Sequence, residues 1–371
     1  IKVDRGTLLM EGGTVNSAHS YAIENWWNAT LSGGTVNGAV ASWTYSGGTD
    51  STLKITGGTI NGDVTAVNYD DAEGKTATVE IGGGTVNGKL DTRRYDPATG
   101  ALTSIKDPAK ATIAARGGTF STAVDEAYCA AGFIPMENAD NTYGVKQGAY
   151  VAAIVDSAGT VTAKYETLSA AIESATAGET VTLFADTKEN VTIAKDITFD
   201  LNGKTLNGGT EKGKPALTVT AKVTVKDSSE AKTGTIKRED TAANSGSGSH
   251  YVIDIQDDGW LTFESGSVTN GSGAGGTKGA SLVRVGNDGK AKDPGLTVKG
   301  GTFTQDNFIA IKVDRGTLLM EGGTVNSANS YAIENWWSAT LSGGAVNGAV
   351  SSWTYSGGTD STLKITGGTI N

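Results

Sequence analysis

Apolar and polar residues alternate along this chain in short runs that end on glycine. Leu53-Lys54-Ile55-Thr56 leads into Gly57-Gly58-Thr59-Ile60-Asn61, and the same phrase closes the stretches from Leu8 to Asn16 and from Leu31 to Asn37. It returns at Gly83 to Asn87, Gly117 to Phe120 and Gly300 to Phe303. A period of two places alternate side chains on opposite faces of a strand. Other alternating runs, Val252–Ile255, Val283–Val285 and Ile309–Val313, precede Asp257-Asp258-Gly259, Asn287-Asp288-Gly289 and Asp314-Arg315-Gly316. These read as β-turn corners in which Gly supplies the positive-φ position. Strand, corner, strand, Gly-Gly corner and short third strand make a three-sided coil, and stacked coils pair through parallel ladders roughly 4.8 Å apart.

The threonines of the first five phrases stand 21, 24, 26 and 34 residues apart. A fixed phrase at variable spacing predicts a β-solenoid in which each coil keeps its strands and one loop varies in length. Asn16, Asn37, Asn61, Asn87, Asn326 and Asn347 then form a column at one edge, amide bonded to amide. Two helical signals interrupt the pattern. Leu168, Ala171, Ile172 and Ala175 fall at i, i+3, i+4 and i+7 with Gly178 as the stop, which predicts a capping helix over 166–177. Thr122 to Asp125 resembles a capping box, with Val124, Ala127, Tyr128 and Ala131 on one face and Gly132 closing it, so a second short helix followed by an extended segment is expected within 121–147.

A longer repeat encloses the short one. Residues 311–371 reproduce residues 1–61 with four changes: His19/Asn329, Asn28/Ser338, Thr35/Ala345 and Ala41/Ser351. The chain therefore reads as a tandem array of 310-residue units, expected to continue past both ends. The unit boundary is placed near residue 148. Residues 1–147 are then the C-terminal half of one unit, with coils over 1–120, and 148–371 the N-terminal part of the next, with coils over 180–371.

Glu179 to Asp186 and Ile197 to Leu206, with the Asn column and the stretch Ala163 to Ile172 before the first coil, resemble the right-handed parallel β-helix of the pectin-lyase-like superfamily. More narrowly, they resemble repeats of large surface proteins of Gram-positive bacteria. That resemblance implies an all-β fold with short capping helices, outside the cell or on its surface.

Composition narrows the function. A net charge of −10 argues against nucleic acid as a partner, and no run approaches the roughly 18 apolar residues of a membrane span. The single cysteine, Cys129, forms no disulfide framework within a unit and is read as a small buried hydrophobe on a short helix, with an inter-chain crosslink in a fibre as the alternative. The two histidines, His19 and His250, lack an orienting partner in sequence, and one is lost in the second copy. Asp70, Asp71 and Glu73, and Asp254, Asp257 and Asp258, are the candidates for Ca²⁺ ligation or for a carboxylate pair. None matches the motifs of pectin-cleaving relatives, and arginine is too sparse in the coils, as at Arg5, Arg116 and Arg284, to accompany them. No catalytic residue, metal or cofactor is assigned.

The aromatic residues stand out. Trp26, Trp27, Trp43 and Tyr45 recur as Trp336, Trp337, Trp353 and Tyr355. In an extended Trp26-Trp27 pair one indole faces outward, which predicts an aromatic patch able to bind glycans or a host protein, or to pack on itself. The expected function is a non-enzymatic extracellular filament or stalk, with identical neighbouring repeats as partners end to end and laterally. Adhesion through the aromatic patch is the alternative, and polysaccharide cleavage the third reading.

Overall fold

The computed structural model describes all residues except 45–47, 71–73, 212, 240–250, 271–280, 288–291, 306–307 and 355–359. Tyr45, Tyr355, Asp71, Glu73 and His250 thus lie outside the described residues. The chain divides into two compact units, Ile1–Ala149 and Tyr150–Asn371, and each is a parallel β-solenoid. Among the described residues no helix is long and apolar enough to cross a membrane.

In the first unit each coil contributes a strand to three sides. The first side stacks Thr7–Met10, Asn28–Leu31, Ser51–Ile55, Ala77–Ile81 and Ala111–Ala115, all parallel. The second stacks Thr14–Asn16, Thr35–Asn37, Thr59–Asn61, Thr85–Val86 and Thr119–Phe120. The third stacks Lys2–Val3, Ile23–Asn25, Val40–Trp43, Val64–Tyr69 and Leu90–Asp96. Alternation decides which side chains enter the core: in Ala77–Ile81, Ala77, Val79 and Ile81 are buried while Thr78 and Glu80 face out. Register then stacks like on like, Leu31 on Ile55 on Ile81.

The Gly-Gly corners need both glycines, for different reasons. The second sits at positive φ, 81° at Gly58 and 84° at Gly84, where a side chain is strained. A Cβ on the first would lie 2.3 Å from the Ser32 carbonyl oxygen at Gly57 and 2.6 Å from that of Thr56 at Gly83, because the coil below passes directly beneath.

The unit closes with elements that are not coils. Ala101–Ser104 lies antiparallel on Leu90–Asp96 and ends the third side. The second side ends where Tyr143–Gln147, hairpinned with Phe133–Glu137, pairs antiparallel with the Thr119–Phe120 strand at Phe120. On the first side Ala115 bridges Cys129, and the Ala130 N–H donates to the Ala115 carbonyl at 2.8 Å. The expected helix in this region is instead one 3₁₀ turn, Glu126–Tyr128, capped by Asp125, and the expected extended segment is a β-hairpin. Of the expected helix face, Val124 packs into the end of the core and Tyr128 lies partly buried against it, while Ala127 and Ala131 are exposed. Cys129 follows that turn, half-buried, its thiol donating to the Asp125 carbonyl.

The second unit opens with an antiparallel hairpin, Ala152–Val155 with Val161–Tyr165, laid on the first coil strand Thr180–Leu183. Helix α1, Leu168–Ser174, follows, with Leu168, Ala171 and Ile172 buried in the core. It is shorter than expected because Thr167 already caps its N-terminus, accepting from the Ala170 N–H, and Ala175 is extended. The coil strands from Thr180–Leu183 to Thr362–Ile365 continue one parallel first side. The other two sides merge into one 13-stranded sheet, because Thr324–Asn335 runs through the corner between them. Phe199, Phe263 and Phe303 fill the core, the last two with ring centroids 4.8 Å apart.

Candidate functional site

On the outer face of the third side, the first unit gathers aromatic rings. Trp26 and Trp43 occupy equivalent positions on neighbouring strands and stack with centroids 5.3 Å apart and planes at 20°. Tyr21 meets Trp43 edge-on at 5.8 Å and Tyr95 does so at 5.6 Å, with Tyr69 beside Tyr95 at 5.2 Å. Ala41 and Val67 lie buried beneath. The Trp26 Nε1 donates to Glu24 Oε1 at 2.8 Å, and Lys2 Nζ stands 5.2 Å from the Trp26 ring. Trp43 is only 7% exposed. Its faces and edges are used by its neighbours, so the cluster is a small second core outside the sheet, and only the half-buried Tyr21, Trp26, Tyr69 and Tyr95 meet solvent.

The second copy repeats this arrangement with less cover. Trp336 stacks on Trp353 at 5.6 Å and 20°, and Tyr331 meets Trp353 edge-on at 6.2 Å. Trp353 is 42% exposed, whereas Trp43 is covered by Val67 and Tyr95 of the following coils. Trp27 and Trp337 do not join either cluster. They sit at the corner, where Asn25 and Asn335 accept their backbone N–H groups, and Arg315 lies 4.9 Å over the Trp337 ring.

One of the four differences between copies acts here. Ser351 Oγ accepts from Trp353 Nε1 at 2.8 Å, whereas Ala41 offers nothing and Trp43 Nε1 is buried without a partner. Sequence reasoning missed Tyr21, Tyr69 and Tyr95. The signal for two of them was present: Tyr69 and Tyr95 follow Val67 and Arg93 by two residues, and those two continue the register column of Trp43.

The asparagines form a ladder. Asn37 donates to Asn16 at 2.7 Å, Asn61 to Asn37 at 2.7 Å and Asn87 to Asn61 at 2.8 Å. In the second unit Asn347 donates to Asn326 and Asn371 to Asn347, each at 2.7 Å, while Asn326 donates to Thr304.

The acidic candidates do not converge. Among the described residues no group of three His, Cys, Asp or Glu is placed to hold a metal ion. Asp70 takes an ion pair from Arg94 at 2.6 Å, and Asp258 one from Lys292 at 2.6 Å. Asp257 forms the corner at φ 54°. Asp254 is different: it shares the third side of the second unit with Arg284, Lys312 and Glu334 in one register column. Burial pushes its carboxyl up, and the Arg284 guanidinium partly offsets this. A carboxylate beside an arginine is what polysaccharide cleavage needs, yet both Asp254 oxygens are occupied, one by Arg284 Nε at 3.1 Å and the other by Gln256 Nε2 at 2.6 Å. It is held in an ion pair and is only 4% exposed. A polar cleft of about 550 Å³ beside α1 includes Lys188 and Lys214, which pair with Glu239 and Glu211.

No protein-family model, curated protein or solved structure matches this chain.

Proposed function

We propose that the chain belongs to a non-enzymatic stalk on a bacterial surface, built from tandem solenoids that fold one by one. The observation that carries this reading is the pair of caps. The parallel ladder beginning at Thr180 is preceded by the antiparallel strand Ala152–Val155, and that ending at Phe120 is followed by the antiparallel strand Tyr143–Gln147. A repeat made of 150–310 followed by 1–147 holds five coils from each stretch, ten in all, between two caps. At roughly 4.8 Å per coil that is about 50 Å of rod per repeat. An antiparallel cap closes one side of the ladder at the start and others at the end, which reduces the parallel edge that a near-identical neighbour could extend, the hazard that tandem copies face. Each repeat then contributes length, which suits a spacer.

Pulling a native multi-repeat polypeptide in a single-molecule force experiment tests this. Separate solenoids give a sawtooth of equal events, each releasing about 1,000 Å of contour for 310 residues. A featureless extension, or steps unrelated to the repeat, would defeat the reading. Adhesion is the second reading, favoured by the half-buried rings of Tyr21 and Trp26 beside Glu24. It predicts that Trp26→Ala removes glycan-array binding with the circular dichroism spectrum unchanged.

A further inference from the structure

The second side of the first unit differs from the other two in charge and relief. Its outward positions form two columns: Thr14, Thr35, Thr59, Thr85 and Thr119, and beside them the amide ladder from Asn16 to Asn87. No residue of 12–16, 33–37, 57–61, 83–87 or 117–121 carries charge, in a chain whose net charge is −10. The other sides carry Lys54 with Glu80, and Glu24, Asp91 and Arg93. Glycine borders the strip along both edges. The Gly-Gly corners flank the threonines, and Gly38, Gly62 and Gly88 flank the asparagines. On this second corner a Cβ is barred by the coil below, 2.5 Å from the Gly38 carbonyl at Gly62. No side chain overhangs the two columns from the glycine borders.

Asn37, Asn61 and Asn87 each spend one N–H on the asparagine of the coil below, and leave a second N–H and a second lone pair for a partner. We infer that this strip docks laterally on the same strip of a second copy of the chain. Three features select that occupant. The donors and acceptors repeat at the coil spacing, roughly 4.8 Å, and another copy of this solenoid presents the same spacing over the same number of rungs. Two molecules of like net charge approach with least repulsion through an uncharged face. The pairing is self-complementary, as a two-fold contact requires, and interlocked Asn and Thr columns can seal it. The inference extends the stalk reading by giving it a lateral partner, and its failure would leave the force pattern of a single chain unchanged.

Sedimentation velocity of the whole chain across a wide concentration range tests it. The expected result is a monomer–dimer equilibrium that tightens as salt rises, since salt screens the general repulsion and no ion pair holds the contact. Thr59→Lys with Thr85→Lys puts two like charges per copy on the strip and leaves the amide ladder intact; at least tenfold weaker association is expected. Thr52→Lys with Thr78→Lys adds the same charge to the first side and should associate like the parent. A monomer at every concentration, dimers that weaken with salt, or equal loss in both variants would overturn the proposal. Absence of association, or dimers that weaken with salt, overturns the proposal without any variant, so it stays falsifiable even if a lysine pair disturbs folding.

Discussion

Trp43 and Trp353 are the same residue of the repeat in two surroundings, and they isolate what a single hydroxyl does. Trp353 Nε1 reaches Ser351, while Trp43 Nε1 is buried over Ala41 with no acceptor. A buried donor without a partner costs about 1–3 kcal/mol. Ala41→Ser is therefore expected to stabilise the first unit by about 1 kcal/mol, read as a higher denaturant midpoint with unchanged slope. No change, or a loss, would show that the buried site has no room for the hydroxyl. The asparagine ladder works at the same scale, since each rung satisfies half of an amide without help from water.

At the scale of one element, α1 is held at both ends by side chains from either flank of the short strand Val191–Ile193. Glu189 accepts from the N–H groups of Leu168 and Ser169 at 2.8 and 2.9 Å and from the Ser169 hydroxyl at 2.6 Å. Lys195 donates to the carbonyls of Ile172, Glu173 and Ala175. Each charge opposes the partial charge of the helix end it touches, so seven residues stay helical where an isolated segment would not. Burial disfavours the Glu189 charge, but the bonds from Ser169, Thr187 and the Leu168 backbone outweigh it and hold its pKa below the ordinary value. A depressed carboxylate stabilises fully above its unfolded pKa, about 4.3, and the contribution fades as pH falls through the lower folded value. Protection factors of the amides in 168–175 should accordingly fall below about pH 4 ahead of those in the coil strands, and Glu189→Gln should show much of that loosening already at pH 7. Equal acid response in cap and coils would refute this account of the helix.

For the whole molecule, the duplicated segment shows what a following coil contributes. Ile55 and Ile60 are 0% and 2% exposed, and their counterparts Ile365 and Ile370 are 51% and 44% exposed. Placing residues 62–147 directly after Asn371 in a chain of 150–371 should bury Ile365, Ile370 and Trp353 as in the first unit. The expected readout is a blue-shifted tryptophan emission with less acrylamide quenching, together with one cooperative unfolding transition. Two transitions, or quenching as strong as in 150–371 alone, would mean that the coils of the two copies are not interchangeable.

Much of this was written in the sequence, because a solenoid is assembled from local rules. Period-two alternation chose the inward residues of Ala77–Ile81, Gly57-Gly58 marked a corner that tolerates no side chain, and recurring Asn after Thr-Val placed one amide above another. The ends and the outer layers were decided only by the tertiary structure. Val124 to Ala131 carries a helical period that the chain spends on a single 3₁₀ turn, because Cys129 and Ala130 continue instead along the last strand of the first side at Ala115. Tyr21, Tyr69 and Tyr95 join Trp26 and Trp43 from coils up to 74 residues apart. Glu189 finds the start of α1 from 21 residues away. The sequence by itself determined the coil, its corners and its stacking, because each depends on neighbours along the strand. Which rings meet, where a ladder stops and what fastens the cap depend on register between distant coils, and that is settled only once all of them are in place.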